Sequence, residues 1–396
     1  MTRTLRASSR LHFSENRRGV VAVYAAIMLV FVLGLAALTV DLGYLFMSYG
    51  QLQTCADSGS LAGAQMLASD AIVKSTPDYT PRQGAARSTA VQFASSNKVG
   101  IDLPTVDSNS SNSSNGDVVI GYLADPENPS AALDTSNPAL YNAVQVRVRK
   151  TTAMNGLVTS FFARVWGNSG NPVAAKATAL LSSSIVGFKV TSESGNSDLL
   201  PFAVKKTDWD ALLAGVGSDH YGRNGAGDVV GGSDGILELN MYPLSNGTGG
   251  VVPGNFGTVD IGNPNNSTAD LDRQILYGAN SDDLAYFGGA LVLGDDGTLL
   301  MNGDTGVSAG IKEELESIKG KPRVIMLYST VTQQGNNATY TIVGFVGIRI
   351  MYVKLTGAMT QKKIMVQPAA VIDASALIGD TPNASTYVFS NVRLVR

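Results

Sequence analysis

The chain is poor in the side chains that most often carry chemistry. Of its 396 residues one is cysteine, Cys55, and two are histidine, His12 and His220. A lone cysteine makes no intramolecular disulfide and no cysteine-based metal site, and two histidines leave little for imidazole ligation or general-base catalysis. Charge is also scarce. Asp, Glu, Lys and Arg together make up 15%, against a typical share of about 25%. The balance of 29 basic against 32 acidic residues gives no general attraction to a phosphate backbone. With 44% hydrophobic residues the chain is too apolar to be disordered and too sparsely charged for a coiled coil. Glycine is what it has in excess, at 43 residues, and this favours turn-rich β structure. The length predicts two or three folded units, at roughly 150 residues each.

The mean hydropathy of +0.09 is high, and its source is local. Val20 to Val40 reads VVAVYAAIMLVFVLGLAALTV, 21 residues without a charge. At about 1.5 Å per residue it spans the roughly 30 Å hydrocarbon core of a bilayer, which predicts a transmembrane anchor within residues 19–47. Arg3, Arg6, Arg10, Arg17 and Arg18 precede the run with one acid, Glu15, and the next basic residue is Lys74. By the positive-inside rule residues 1–18 form a basic cytoplasmic tail and the bulk is exported. Setting that tail aside leaves 24 basic and 31 acidic residues, a net of −7 outside. A cleaved signal peptide has an apolar core of about 7–15 residues and an A-x-A-like site. Here the run is longer and is followed by DLGYLFMSYGQLQ, so a retained anchor is expected.

From Asp41 to Ala71 proline is absent, and Leu42, Leu45, Phe46, Tyr49 and Leu52 recur at three- and four-residue steps. The membrane helix is therefore predicted to continue outward as an amphipathic helix. Ala56, Ser60, Ala64 and Ala68 then form a stripe of small residues, with Cys55, Gly59 and Gly63 beside it. Such a stripe serves close packing within one domain and between molecules equally well.

The residues Arg17 to Leu67 resemble the N-terminal module of TadE/TadG-like proteins of bacterial Tad (tight adherence, Flp-type) pilus systems. The shared elements are the basic pair and Gly19 before the span, and Val-Asp-Leu-Gly at its outer edge with Asp41 and Gly43. Leu-Gln-x-x-Ala-Asp follows, with Leu52, Gln53, Ala56 and Asp57, and then an Ala/Gly-rich helix. The resemblance implies a single-pass bacterial inner-membrane protein with a periplasmic or cell-surface body, whose partners are other Tad pilus components and membrane lipid. Prepilin-like members carry Glu at the fifth position after the cleaved Gly. Tyr24 stands there, which favours the anchored TadG-like form.

In the middle of the chain Gln83 to Ser96 is predicted helical, and Asp107 to Asp117 (DSNSSNSSNGD) reads by composition as a flexible surface loop. Val118–Leu123, Tyr141–Lys150 and Val173–Ser184 read as strands, Val144, Val146 and Val148 alternating with polar residues as in a half-buried antiparallel strand. Leu157–Trp166 reads as a short helix. The expected fold class is α+β: a helix-plus-sheet, pilin-like unit over residues 41–185, a linker over 186–197, and a β-rich extracytoplasmic domain over 198–396. That domain is expected as a sandwich or barrel-like sheet, interrupted by helices at Ser267–Leu276 and Ser308–Ile318.

Chemical motifs are few. Gly231-Gly232-Ser233-Asp234-Gly235 matches the G-x-S-x-G nucleophile elbow, but no histidine follows His220 and Ile236–Met241 reads as a strand. A Gly-rich turn is therefore expected. Val371–Leu377 (VIDASAL) offers Asp373 and Ser375 toward a metal-binding Asp-x-Ser-x-Ser signature, yet Leu377 replaces the second serine. Asp282-Asp283, Asp295-Asp296-Gly297 and Asn302-Gly303-Asp304 lack the order of an EF-hand loop. No catalytic, metal or cofactor site is expected, and no nucleic-acid partner. The leading expectation is a non-enzymatic, membrane-anchored pilus-assembly component. The alternative is a tethered surface adhesin or carbohydrate-binding protein using aromatics such as Trp209, Tyr221, Tyr242 and Phe256.

Overall fold

In the computed structural model residues 17–128, 130–242, 257–262, 267–303, 309–332, 338–381 and 384–395 are described. One helix, α1 (Arg17–Gln65), runs unbroken for 49 residues, about 74 Å at the standard rise. No proline interrupts it. Its first half stands free of the body, with Val20, Ile27, Phe31 and Leu38 all more than half exposed. Its second half is built into a folded unit.

That unit consists of α1, the antiparallel α2 (Thr80–Ala94) and an antiparallel sheet. Pro81 opens α2 in the first turn, where a missing N–H costs nothing. The sheet pairs Val118–Gly121 with Ala143–Lys150, and that strand with Val173–Leu180. Val144, Val146 and Val148 turn inward onto Leu52, Ala56 and Ala64 of the helix, as their period of two requires.

The low-complexity stretch is ordered by its own polar side chains, which corrects the expectation of a flexible loop. Arg87, buried on α2, donates through Nη1 to the carbonyls of Ser108, Asn109 and Val118 at 2.8–3.0 Å. Asn112 accepts from the Ile120 amide and donates to the Ile120 carbonyl, standing in for a neighbouring strand at the sheet edge. Asp117, 1% exposed, pairs with Arg149 at 3.0 Å and Arg147 at 3.5 Å. Asn109 and Asn112 take positive φ, which asparagine tolerates better than most residues.

The remainder is built on a mixed sheet in the order Leu239–Tyr242, Lys363–Pro368, Thr339–Lys354, Pro322–Thr332, Leu199–Lys205, the last pair parallel. Both faces are buried. Along Pro322–Thr332, Val324, Met326 and Tyr328 enter one core while Ile325 and Leu327 enter the other. Helices α3 (Lys206–Leu213), α4 (Thr268–Tyr277) and α6 (Lys312–Ser317) cover one face through Trp209, Leu212, Leu271, Ile275 and Leu315. A small sheet of Ile185–Phe188, Leu291–Val292 and Ala376–Ile378 covers the other, beside α5 (Ser281–Ala285). The expected sandwich or barrel is thus replaced by helices, a mixed sheet and a smaller sheet in layers. The difference arises because the LLPFAVKKTDWDALL run divides into a strand and α3.

The two units interlock. The strand Arg393–Leu394 pairs with Leu180 and Ala179 at the edge of the first sheet, and Ile372, Phe389 and Val392 pack on the first core. The stretch 186–197 begins inside the strand Ile185–Phe188. The fold is α+β, an apolar N-terminal helix followed by a β-rich body.

Candidate functional site

The α1 helix and what its polar residues hold form the most organised candidate site. Val20 and Val40, the ends of the apolar run, are about half exposed and Tyr24 between them more so, and helix Gly19–Gln65 is long and apolar enough to cross a membrane. One residue past the run, Asp41 turns its carboxylate to the main-chain amides that open the turn Ala163–Trp166. Phe161 and Ala163 donate at 2.7 and 2.8 Å, and Phe162 donates to both oxygens at 3.2 Å. The ring of Tyr44 meets Phe161 edge-on at 5.1 Å. Asp41 and the FFARVW segment are both visible in the sequence; their contact across 120 residues is not.

Farther along, Leu52 is fully buried in the first core. Gln53 donates to Asp57 at 2.7 Å and to the Lys176 carbonyl at 3.3 Å, so the Gln-x-x-x-Asp step joins the helix to the strand Val173–Leu180. Ala56, Ser60 and Ala64 are fully buried and Ala68 half-buried. At Gly59 a Cβ would lie 2.8 Å from both the Ala90 carbonyl oxygen and the Ala94 Cβ. At Gly63 it would lie 2.9 Å from the Ala90 Cβ and 3.1 Å from Val144. The small-residue stripe is therefore occupied by α2 and the sheet of its own unit. Cys55 is buried there, its thiol facing the Asn97 carbonyl. Gly19 and Gly43, in contrast, face open space.

The other motifs resolve into structural roles. Ser233 donates to Asp219, whose carboxylate also accepts the amides of Asp234 at 3.1 Å and Gly235 at 3.0 Å. No helix follows; the next element is the strand Leu239–Tyr242. His220 is exposed, and its amide donates to Glu238. The Asp373 carboxylate accepts from Ser197 Oγ, the Asp198 amide, the Ser375 amide and Ser375 Oγ, all within 2.7–2.8 Å. That satisfies all the lone pairs a carboxylate directs, and it staples the start of the second unit to its end.

Asp283 forms a capping box with Asn280 and pairs with Arg273. Asp296 holds the Thr298 amide and hydroxyl. Asp304 lies outside the described residues. Among the described residues no three His, Cys, Asp or Glu side chains gather as a metal site would require. Trp209 and Tyr242 are 1% and 2% exposed, so they offer nothing to a surface ligand, while Tyr221 stacks on Tyr352. Phe256 lies outside the described residues.

Sequence reasoning missed one further residue. Asp70, just past α1, pairs with Arg349 at 3.0 Å and with Arg223 of the second unit. No periodicity or motif marks it.

Two family models match the N-terminal part of the chain. A family model described as "Putative Flp pilus-assembly TadE/G-like" matches residues 19–66, and one described as "Putative Tad-like Flp pilus-assembly" matches residues 62–179. Neither a curated protein nor a solved structure matches the chain. The first match ends where α1 ends, and the second covers α2 and the sheet that clamps it.

Proposed function

Since residues 19–179 match family models described as Flp pilus-assembly, we propose that the chain is a membrane-anchored, non-enzymatic component of a Tad/Flp-type pilus assembly system. Val20–Val40 spans the inner membrane. The basic tail stays in the cytoplasm, in keeping with the five arginines before the span, and the acidic body is exported. Other envelope components of the same system and membrane lipid are its partners. Residues 41–185 position the body and residues 198–396 present the exported contacts.

The observation that carries this reading is the continuity of α1. One helix is bare and apolar over its first half and clamped by α2 and the sheet over its second. A flexible tether holds a domain near a membrane but leaves its height and tilt free. A helix shared between bilayer and body fixes both. Such a fixed mount suits an assembly part that must meet neighbours in register.

Three measurements test the reading. Alkaline carbonate extraction should leave the full chain in the membrane pellet. Cross-linking and pull-down from a piliated strain should recover Tad assembly components, and deletion of the gene should reduce pili. Recovery of no such component from a strain that makes pili overturns the proposal.

A further inference from the structure

We infer that the segment Phe161–Trp166 is a second membrane contact, an aromatic wedge seated in the headgroup region of the leaflet from which α1 emerges. The inference rests on the membrane span proposed above. Its height is set by Asp41, which lies one residue beyond the apolar run and holds the amides of Phe161, Phe162 and Ala163. The segment therefore sits at the level where hydrocarbon gives way to headgroups, about 30 Å along the helix from Val20.

Apart from the edge-on contact of Phe161 with Tyr44, its large apolar side chains cluster at the surface. Phe161, Phe162, Val165 and Trp166 are 53%, 45%, 81% and 78% exposed, four large apolar groups within six residues. Arg164 between them is exposed as well. A cluster of this size facing water is unfavourable for a soluble surface. Next to a membrane it has the composition of an interfacial belt: tryptophan and phenylalanine at the headgroup level, with a guanidinium able to pair with lipid phosphate. The three amides that begin the turn are already satisfied by Asp41, so they do not enter that region unpaired. The occupant of this surface is therefore lipid, continuous with the lipid around α1, and two attachment points fix the rotation of the body about the helix axis.

The two tryptophans make the test direct, because Trp209 is buried in the second unit and Trp166 is exposed. The full chain is reconstituted into nanodiscs of phosphatidylcholine and phosphatidylglycerol, and its fluorescence is compared with that of the Trp166→Phe variant. The difference is the Trp166 signal. Lipids brominated near the headgroup end of their chains should remove roughly half or more of it, chain-end bromination should remove less, and acrylamide should be largely excluded.

A Trp166 signal quenched by acrylamide and untouched by brominated lipid overturns the inference. So does a signal shielded from both, which would mean protein covers the segment, as in contact with a second copy. A chain that fails to enter nanodiscs at all overturns the anchor itself, and this is seen in co-elution before fluorescence is read.

Discussion

Burial pushes the Asp198 carboxyl up to about 6, with neighbouring Asp373 adding to the shift and Arg323, at 2.9 Å, opposing it. In the unfolded chain an aspartate titrates near about 3.9. Between those two values the folded state holds more protons than the unfolded one, so this group favours folding most below about pH 4, and that contribution is lost as pH rises to about 6. Thermal melting of the full chain in detergent should show the midpoint falling over that interval, and Asp198→Asn should flatten this part of the profile. An unchanged slope in the variant would refute the assignment. Arg87 carries a larger single effect. Its buried guanidinium bridges three carbonyls of the 107–118 region, and Arg87→Ala removes that charged bridge, leaving the Asn109 carbonyl to the Asn112 amide and the Val118 carbonyl to the Asn109 side-chain amide. We expect a loss of about 3 kcal/mol in denaturant unfolding, with faster amide exchange over residues 108–120 before exchange rises elsewhere. The sequence DSNSSNSSNGD reads as disorder by composition because composition cannot show that two of its asparagines cap a sheet edge and that an arginine from α2 fills its centre. Those contacts are tertiary.

Among the elements, α1 was the most legible. Its apolar length, the outward continuation and the small-residue stripe all follow from periodicity alone, because a helix repeats its neighbours every three to four residues. The stripe's partner did not follow, since small residues invite any close surface. With that partner now known to be α2, the glycines of α1 separate into two kinds. At Gly63 a Cβ meets Ala90, Ala86 and Val144 within 3.1 Å, while at Gly43 it meets nothing within 4 Å. Gly63→Val should cost about 3 kcal/mol by overpacking, and Gly43→Ala should be neutral or stabilising by about 0.5–1 kcal/mol through helix propensity. Equal effects at the two sites, measured by thermal melting of the full chain, would mean that α2 is not seated on the stripe. The mixed sheet was less legible for a related reason. Strands buried on both faces, such as Pro322–Thr332 and the 16-residue Thr339–Lys354, read as continuous apolar runs without the alternation that separates inside from outside. Their number suggested a sandwich; α4 and α6 were legible from their caps and charges, while α3 lay hidden in an apolar run that reads as strand.

At the scale of the whole molecule the sequence suggests sequential units, and the structure joins them through residues that belong to neither pattern. Asp70 leaves α1 and reaches Arg349 and Arg223, while the last strand returns to the first sheet. Arg349 lies on the long central strand with its side chain only 3% exposed. Burial lowers its proton affinity, and Asp70 is the main charge that restores it. A charge taken from water is tolerated only beside its partner, and removing one member of such a pair costs about 3–5 kcal/mol because the other is left buried and alone. Asp70→Ala should therefore destabilise the full chain by that amount, even though Asp70 itself is partly exposed. The companion variant Asp70→Ala/Arg349→Leu separates the pair's net worth from the penalty of a stranded charge. It removes both members, and most of the lost stability should return. If the single variant melts like the wild type, the arginine is finding water and the two units are not locked at this point. If the double variant is as unstable as the single one, Arg349 acts by packing and not by charge. The expected result ties the mount to the body: the helix proposed to fix the chain in the membrane is followed, five residues beyond its end, by the carboxylate on which the second unit's buried arginine depends.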